Sequence, residues 1–272
     1  MLTAPEVKKL ATGLGIDLVG IASADRFAGL PADAHPASVL PQATAVIVLG
    51  HRVPRGSLRG HETGHAHYVL SANSPMQYAL TRTYQFCCAL ETEGWEAFPM
   101  YPHSSDVREM GVPVAPDKPA PNVVLDIEYA AHAAGLGEMG RGGFFLTPEF
   151  GPRQFFTAVI TDLPLEADAP FAGSVCDACG LCVEACPALA LSREELVEHP
   201  LSEGVATVYA LRKESCRVCP GTGGTGVPYA TGQDPWRLGA PCGRACVAHL
   251  EDSGLLTRRF HSPFRNEEAS SC

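Results

Sequence analysis

Apolar positions follow regular periods through the first 160 or so residues, after which cysteines dominate the pattern. Residues 5–14 repeat at helical spacing, with Val7, Leu10, Ala11 and Leu14 on one face. Leu18 to Ala22 is a short apolar run that reads as a buried strand. Thr44 to Gly50 is the clearest strand of the chain, β-branched and closed by glycine. A proline-rich connection over 31–41 separates the two strands. Residues 74–93 form the longest helical candidate, with Tyr78, Leu80, Tyr84, Cys87, Cys88 and Leu90 as its apolar positions and Gly94 as its stop. Residues 95–101 read as an edge strand, because Pro99 has no N–H to donate to a ladder. A helical pattern returns over 123–134, and 144–147 with 154–161 read as a strand pair around the Pro148 to Pro152 turn. Residues 51–67 and 103–122 read as loops. In the first of them His61, His65 and His67 are taken as solvated side chains rather than metal ligands. This alternation predicts a mixed α/β domain, ending in the proline-containing boundary at 163–173.

Two stretches carry chemistry. Gly135, Gly137, Gly140, Gly142 and Gly143 fall within nine residues, which suits backbone that turns sharply or approaches something large and flat. Gly135 to Gly140 matches G-x-G-x-x-G by letters but follows a helix rather than a strand, so it is not read as a dinucleotide site. Cys176, Cys179, Cys182 and Cys186 then form C-x2-C-x2-C-x3-C-P. Three thiolates at two-residue gaps wrap three corners of an iron–sulfur cube, and the fourth points to a different cluster. Zinc sites more often show two C-x2-C pairs separated by a longer stretch. Two cubes need eight thiolates, and Cys216, Cys219, Cys242 and Cys246 complete that number. By the crossed logic of two-cluster ferredoxins, Cys246 completes the group of Cys176, Cys179 and Cys182, while Cys186 joins Cys216, Cys219 and Cys242.

Composition narrows the setting. Of eleven cysteines, the eight between Cys176 and Cys246 are clustered, which reads as metal ligation in a reducing compartment rather than as a disulfide scaffold. No apolar stretch is long enough to span a membrane and no cleavable leader is visible, so the expectation is a cytoplasmic protein without a membrane partner. The formal charge of −10 argues against nucleic acid as a partner of a broadly basic surface, although Arg52, Arg55 and Arg59 lie close in sequence.

The glycine stretch continued through residues 147–153 and 161–165 resembles the corrinoid-binding segment of reductive dehalogenases and the equivalent segment of epoxyqueuosine reductases. In both families the C-x2-C-x2-C-x3-C-P run follows it. Residues 15–22 and 36–50 also resemble the opening of epoxyqueuosine reductases, and the likeness covers roughly residues 1–250. The resemblance implies a nitroreductase-like α/β (α+β) core over residues 1–168, binding cobalamin. The resemblance also implies a bacterial-ferredoxin-like module with two [4Fe-4S] clusters over 169–272. It sets Gly135, Gly137, Gly140, Arg141, Thr147 and Gly151 against the corrin, with FMN as the alternative cofactor.

The implied function is a cobalamin-dependent oxidoreductase. It takes electrons from reduced ferredoxin or flavodoxin through the clusters and reduces a small molecule or modified base. The alternative is an electron-transfer or corrinoid-reactivating protein with no substrate of its own. Counting back to the position of the catalytic aspartate of epoxyqueuosine reductases lands on Pro121 and Asn122. Asp126 and Glu138 are therefore the nearby carboxyl candidates for the proton donor.

Overall fold

The computed structural model describes residues 2–63, 68–102, 123–219 and 237–265. His65, His67, the predicted loop 103–122 with Pro121 and Asn122, most of the segment between Cys219 and Cys242, and Cys272 lie outside them.

The first helix, α1 (Ala4–Gly13), starts where the Glu6 carboxylate accepts the Thr3 backbone N–H and buries Val7 and Ala11. Strands β1 (Leu18–Ser23) and β2 (Ala45–Arg52) pair antiparallel, Leu18 opposite Gly50 and Ser23 opposite Ala45. The predicted loop after β2 is a correction. His51 and Arg52 extend the strand, and Arg55–Glu62 forms α2, with Arg55 and Leu58 buried. Its glycines are tolerated because that buried face packs with Val53 on Leu238, Val247 and Phe264 far along the chain. The long helix α3 (Tyr68–Thr92) begins earlier than its periodicity indicated and stops at Gly94, whose φ of 87° is left-handed. It leads into β3 (Ala97–Met100), then α4 (Ile127–Ala133), the short strands β4 (Glu138–Met139) and β5 (Phe145–Leu146), and β6 (Gln154–Thr161).

The main sheet runs β1-β2-β6-β3, with every pairing antiparallel and β3 on an edge, as Pro99 requires. β2 reads as an unbroken apolar run because both of its faces are covered. Ala45, Ile47 and Leu49 pack with Val7, Phe86, Leu90 and Val159, whereas Val46 and Val48 pack with Ala130, Ala134, Phe156 and Ile160. Two further expectations are corrected. Residues 144–147 do not pair with 154–161; β5 pairs with β4, and β6 is taken up by β2 and β3. The helical pattern at 123–134 becomes helix only from Ile127.

After β6 the chain lies along the outer edge of β1. The Asp168 N–H donates to the Ile21 carbonyl at 2.8 Å, and its carboxylate accepts the Ile21 N–H and the Lys8 ammonium. Beyond come α5 (Leu181–Glu184), the hairpin β7 (Leu191–Pro200) and β8 (Val205–Leu211), α6 (Lys213–Arg217) and α7 (Pro241–Asp252). Leu201, Ala206 and Val208 of the hairpin region pack on the core cluster beneath the sheet. No helix among the described residues is long and apolar enough to cross a membrane.

Candidate iron–sulfur site

The loop that opens the cysteine run is pinned from the glycine segment. The Glu138 carboxylate of β4 accepts the backbone N–H of Cys176 at 2.7 Å, the N–H of Val175 and the Ser174 hydroxyl. The loop then turns through two left-handed residues, Ala178 (φ 59°) and Gly180 (φ 84°), before the short α5 carries Cys182 into the interior. Two glycines make room for it. A Cβ on Gly142 would meet the Cys182 Sγ at 2.8 Å, and one on Gly140 would meet Leu146 at 2.7 Å and the Cys176 Cβ at 3.4 Å.

From the other side, α7 presents Cys242 and Cys246 one turn apart. A cavity lined by Gly140, Gly142 and the loop brings Cys176, Cys179, Cys182 and Cys246 together. Burial pushes the Cys182 thiol up to about 11 and raises that of Cys246, and the neighbouring cysteines press the same way. Cys186, Cys216, Cys219 and Cys242 are buried as a second group. Burial lifts the Cys216 thiol to about 11, helped by Cys242, Cys219 and Cys186 and opposed by Arg237. Backbone N–H groups already point at sulfur. Arg141 donates to Cys176 Sγ at 3.4 Å, and Ala190 donates to Cys186 Sγ at 3.2 Å. Clustered soft thiols, most of them buried or half-buried, with N–H donors aimed at Cys176 and Cys186, suit iron–sulfur chemistry. Iron would hold these sulfurs as thiolates that burial alone disfavours.

The residues expected against a corrin have other neighbours. A Cβ on Gly135 would meet the Ala169 carbonyl at 2.2 Å, and one on Gly137 the Leu146 carbonyl at 2.0 Å. Gly151 is left-handed (φ 58°) and bridges to Thr147, whose fully buried hydroxyl donates to Gln154 and accepts the Phe150 N–H. The Arg141 backbone is taken by Cys176 and Tyr209. The close approach at Gly135 and Gly137 is thus an approach to the chain's own backbone.

The carboxyl candidates are similarly engaged. Asp126 caps α4, its Oδ1 accepting the N–H groups of Glu128 at 2.9 Å and Tyr129 at 3.0 Å, and Glu138 holds the cysteine loop. Of the basic trio, Arg55 pairs with Glu251 at 2.7 Å, Arg52 pairs with Asp17 at 3.3 Å, and Arg59 donates to the Pro263 carbonyl at 2.7 Å.

Three residues near the cysteines were missed by the sequence reading. His249 Nε2 lies 2.6 Å from Asp177 Oδ2, and the two converge with Cys179 to within 4.8 Å. The available signal was His249 standing three residues after Cys246 on one helix face. Arg237 is the third, and it carried no local signal.

Residues 173–192 match the profile of a 4Fe-4S binding domain. The tetrachloroethene reductive dehalogenase of Dehalobacter restrictus is 42% identical over 84 residues, covering 26% of this chain and 15% of that protein. The epoxyqueuosine reductase of Listeria monocytogenes is 40% identical over 57 residues, covering 21% and 15%. Its homologues are reductive dehalogenases and epoxyqueuosine reductases. These matches span only a small part of the relatives' length. Solved structures extend the likeness of fold. An epoxyqueuosine reductase from Streptococcus thermophilus superposes with a TM-score of 0.51 at 18% identity, over 90% of this chain and 67% of that one. A reductive dehalogenase whose structure suggests a mechanism for B12-dependent dehalogenation gives 0.53 at 22%, over 80% and 29%. Another epoxyqueuosine reductase, solved with a modified tRNA stem loop, aligns with a TM-score of 0.45 and 16% identity over 92% of this chain and 82% of that one.

Proposed function

We propose that the chain is an iron–sulfur reductase. Electrons from reduced ferredoxin or flavodoxin would enter through two [4Fe-4S] clusters and leave, via cobalamin, to a small molecule or modified base. The observation that carries this reading is the sorting of eight cysteines into two groups of four, with α7 contributing one to each. Cys176, Cys179, Cys182 and Cys246 would hold one cluster, and Cys186, Cys216, Cys219 and Cys242 the other. With every iron held by protein thiolates, the pair would be a wire rather than a reaction centre. The division into a core over 1–168 and a cluster module over 169–272 belongs to the same reading.

The cobalamin part of this reading is supported by the similar fold of a reductive dehalogenase whose structure suggests a mechanism for B12-dependent dehalogenation. When bound, cobalamin supplies the low-potential chemistry itself, and the protein supplies binding and orientation. Reductases among the homologues favour an enzyme over a relay with no substrate of its own.

The test is metal and cofactor analysis of anaerobically reconstituted protein. About eight irons per chain and a base-off cobalamin spectrum are expected. Zinc in place of iron overturns the wire. Intact clusters with no binding at micromolar cobalamin overturn the corrin.

A further inference from the structure

We propose that Arg237 is the shared counter-ion of the two clusters and sets their reduction potentials. This rests on the two-cluster reading above and adds a residue whose role no cysteine spacing reveals.

The side chain is gripped from the glycine segment. Its Nη2 donates to the Gly142 carbonyl at 2.6 Å and its Nη1 to the Gly143 carbonyl at 3.1 Å, while the guanidinium lies 4.4 Å over the Phe144 ring. Gly142 is the residue whose absent Cβ leaves room for Cys182 Sγ, so the grip sits against the first cysteine group. The backbone of Arg237 faces the second group. Its carbonyl lies 4.0 Å from the Cys242 Sγ, and a Cβ on Gly243 would meet that carbonyl at 2.5 Å. Arg237 therefore meets Cys242 of the second group directly and, in the first, grips the glycine that lies against Cys182.

No carboxylate among the described residues pairs with Arg237, and its buried Nε has no partner. A cubic cluster with four thiolates is anionic, and each one-electron reduction adds a further negative charge. A fixed cation between two such centres stabilises the reduced form of each, which raises both potentials. The wire then accepts electrons more readily from an external low-potential one-electron donor.

The experiment is a dithionite redox titration, followed by electron paramagnetic resonance, of reconstituted wild type and of R237Q, R237M and R237K. R237Q and R237M should shift cluster potentials to more negative values at unchanged iron content. R237K keeps the charge but loses the two-carbonyl fork, and should stay near wild type. Wild-type potentials in an iron-replete R237Q or R237M overturn the proposal, as does an R237K shift equal to theirs. If both neutral variants lose iron, retention of iron by R237K supports the role of charge and its loss overturns it. Fewer than about eight irons in wild type would instead fail the two-cluster reading itself.

Discussion

The Glu138 carboxylate accepts the Cys176 backbone N–H at 2.7 Å, tying a two-residue strand of the glycine segment to the first residue of the cysteine run. The same carboxylate takes the Val175 N–H and the Ser174 hydroxyl. Glu138→Ala leaves those donors without an anion and is expected to cost about 2–3 kcal/mol. Urea unfolding and the rate of iron release to a chelator check this; an unchanged midpoint and unchanged release would refute the anchor.

Asp126 is separable from stability by an isosteric change. Asn caps a helix as well as Asp, so Asp126→Asn should leave the fold intact, whereas Asp126→Ala should cost about 1 kcal/mol. Turnover lost in Asp126→Asn, with clusters and unfolding midpoint unchanged, would return a chemical role to this residue.

Removing one thiol from each group should subtract different clusters. Cys246→Ala and Cys216→Ala are each expected to fall from about eight irons to about four, with complementary paramagnetic signals. Identical residual signals in both variants would contradict the crossed pairing.

His51 is 1% exposed, neither ring nitrogen has a hydrogen-bond partner among the described residues, and burial pushes its pKa down to about 4. The unfolded chain then binds the proton first as pH falls, so stability decreases from about pH 6.5 towards pH 4 and levels off below. A shift of this size corresponds to at most about 3 kcal/mol. His51→Phe, beside Tyr78, should flatten that part of the urea-midpoint profile, and an unaltered slope would exclude His51 as its source.

Glu251 lies between Arg55 at 2.7 Å and Arg153 at 3.7 Å, in a pocket roofed by Phe260, 3.6 Å from the Arg55 guanidinium. Burial lowers the Arg153 pKa to about 10, which Glu251 opposes. Glu251→Gln leaves two buried cations poorly compensated and should destabilise by about 3–5 kcal/mol. Differential unfolding of the two proteins measures it; near-equal midpoints would show the charges solvated.

Much of the scaffold could be read from local pattern. β2 is apolar from Ala45 to Gly50 because both its faces are covered, Pro99 marks an edge, and the cysteine spacing lies within the segment that matches a 4Fe-4S binding domain. What escaped depends on distance along the chain. α2 is held by Leu238 and Phe264, nearly two hundred residues away, and its own glycines argue against a helix. Gly135 and Gly137 announce a close approach, but the approaching group is the backbone of Ala169 and of Leu146. Glu138 looked like an acid beside a cofactor because its partner, Cys176, lies 38 positions on. Arg237 faces Gly142 across 95 positions.

Cys242 and Cys246 stand one turn apart on α7, about 6 Å of helical rise. On the two-cluster reading, a single span of hydrogen-bonded backbone fixes the gap an electron must cross. Movement of surface loops would then leave the tunnelling distance unaltered, and the rate between the centres would follow from their difference in driving force alone.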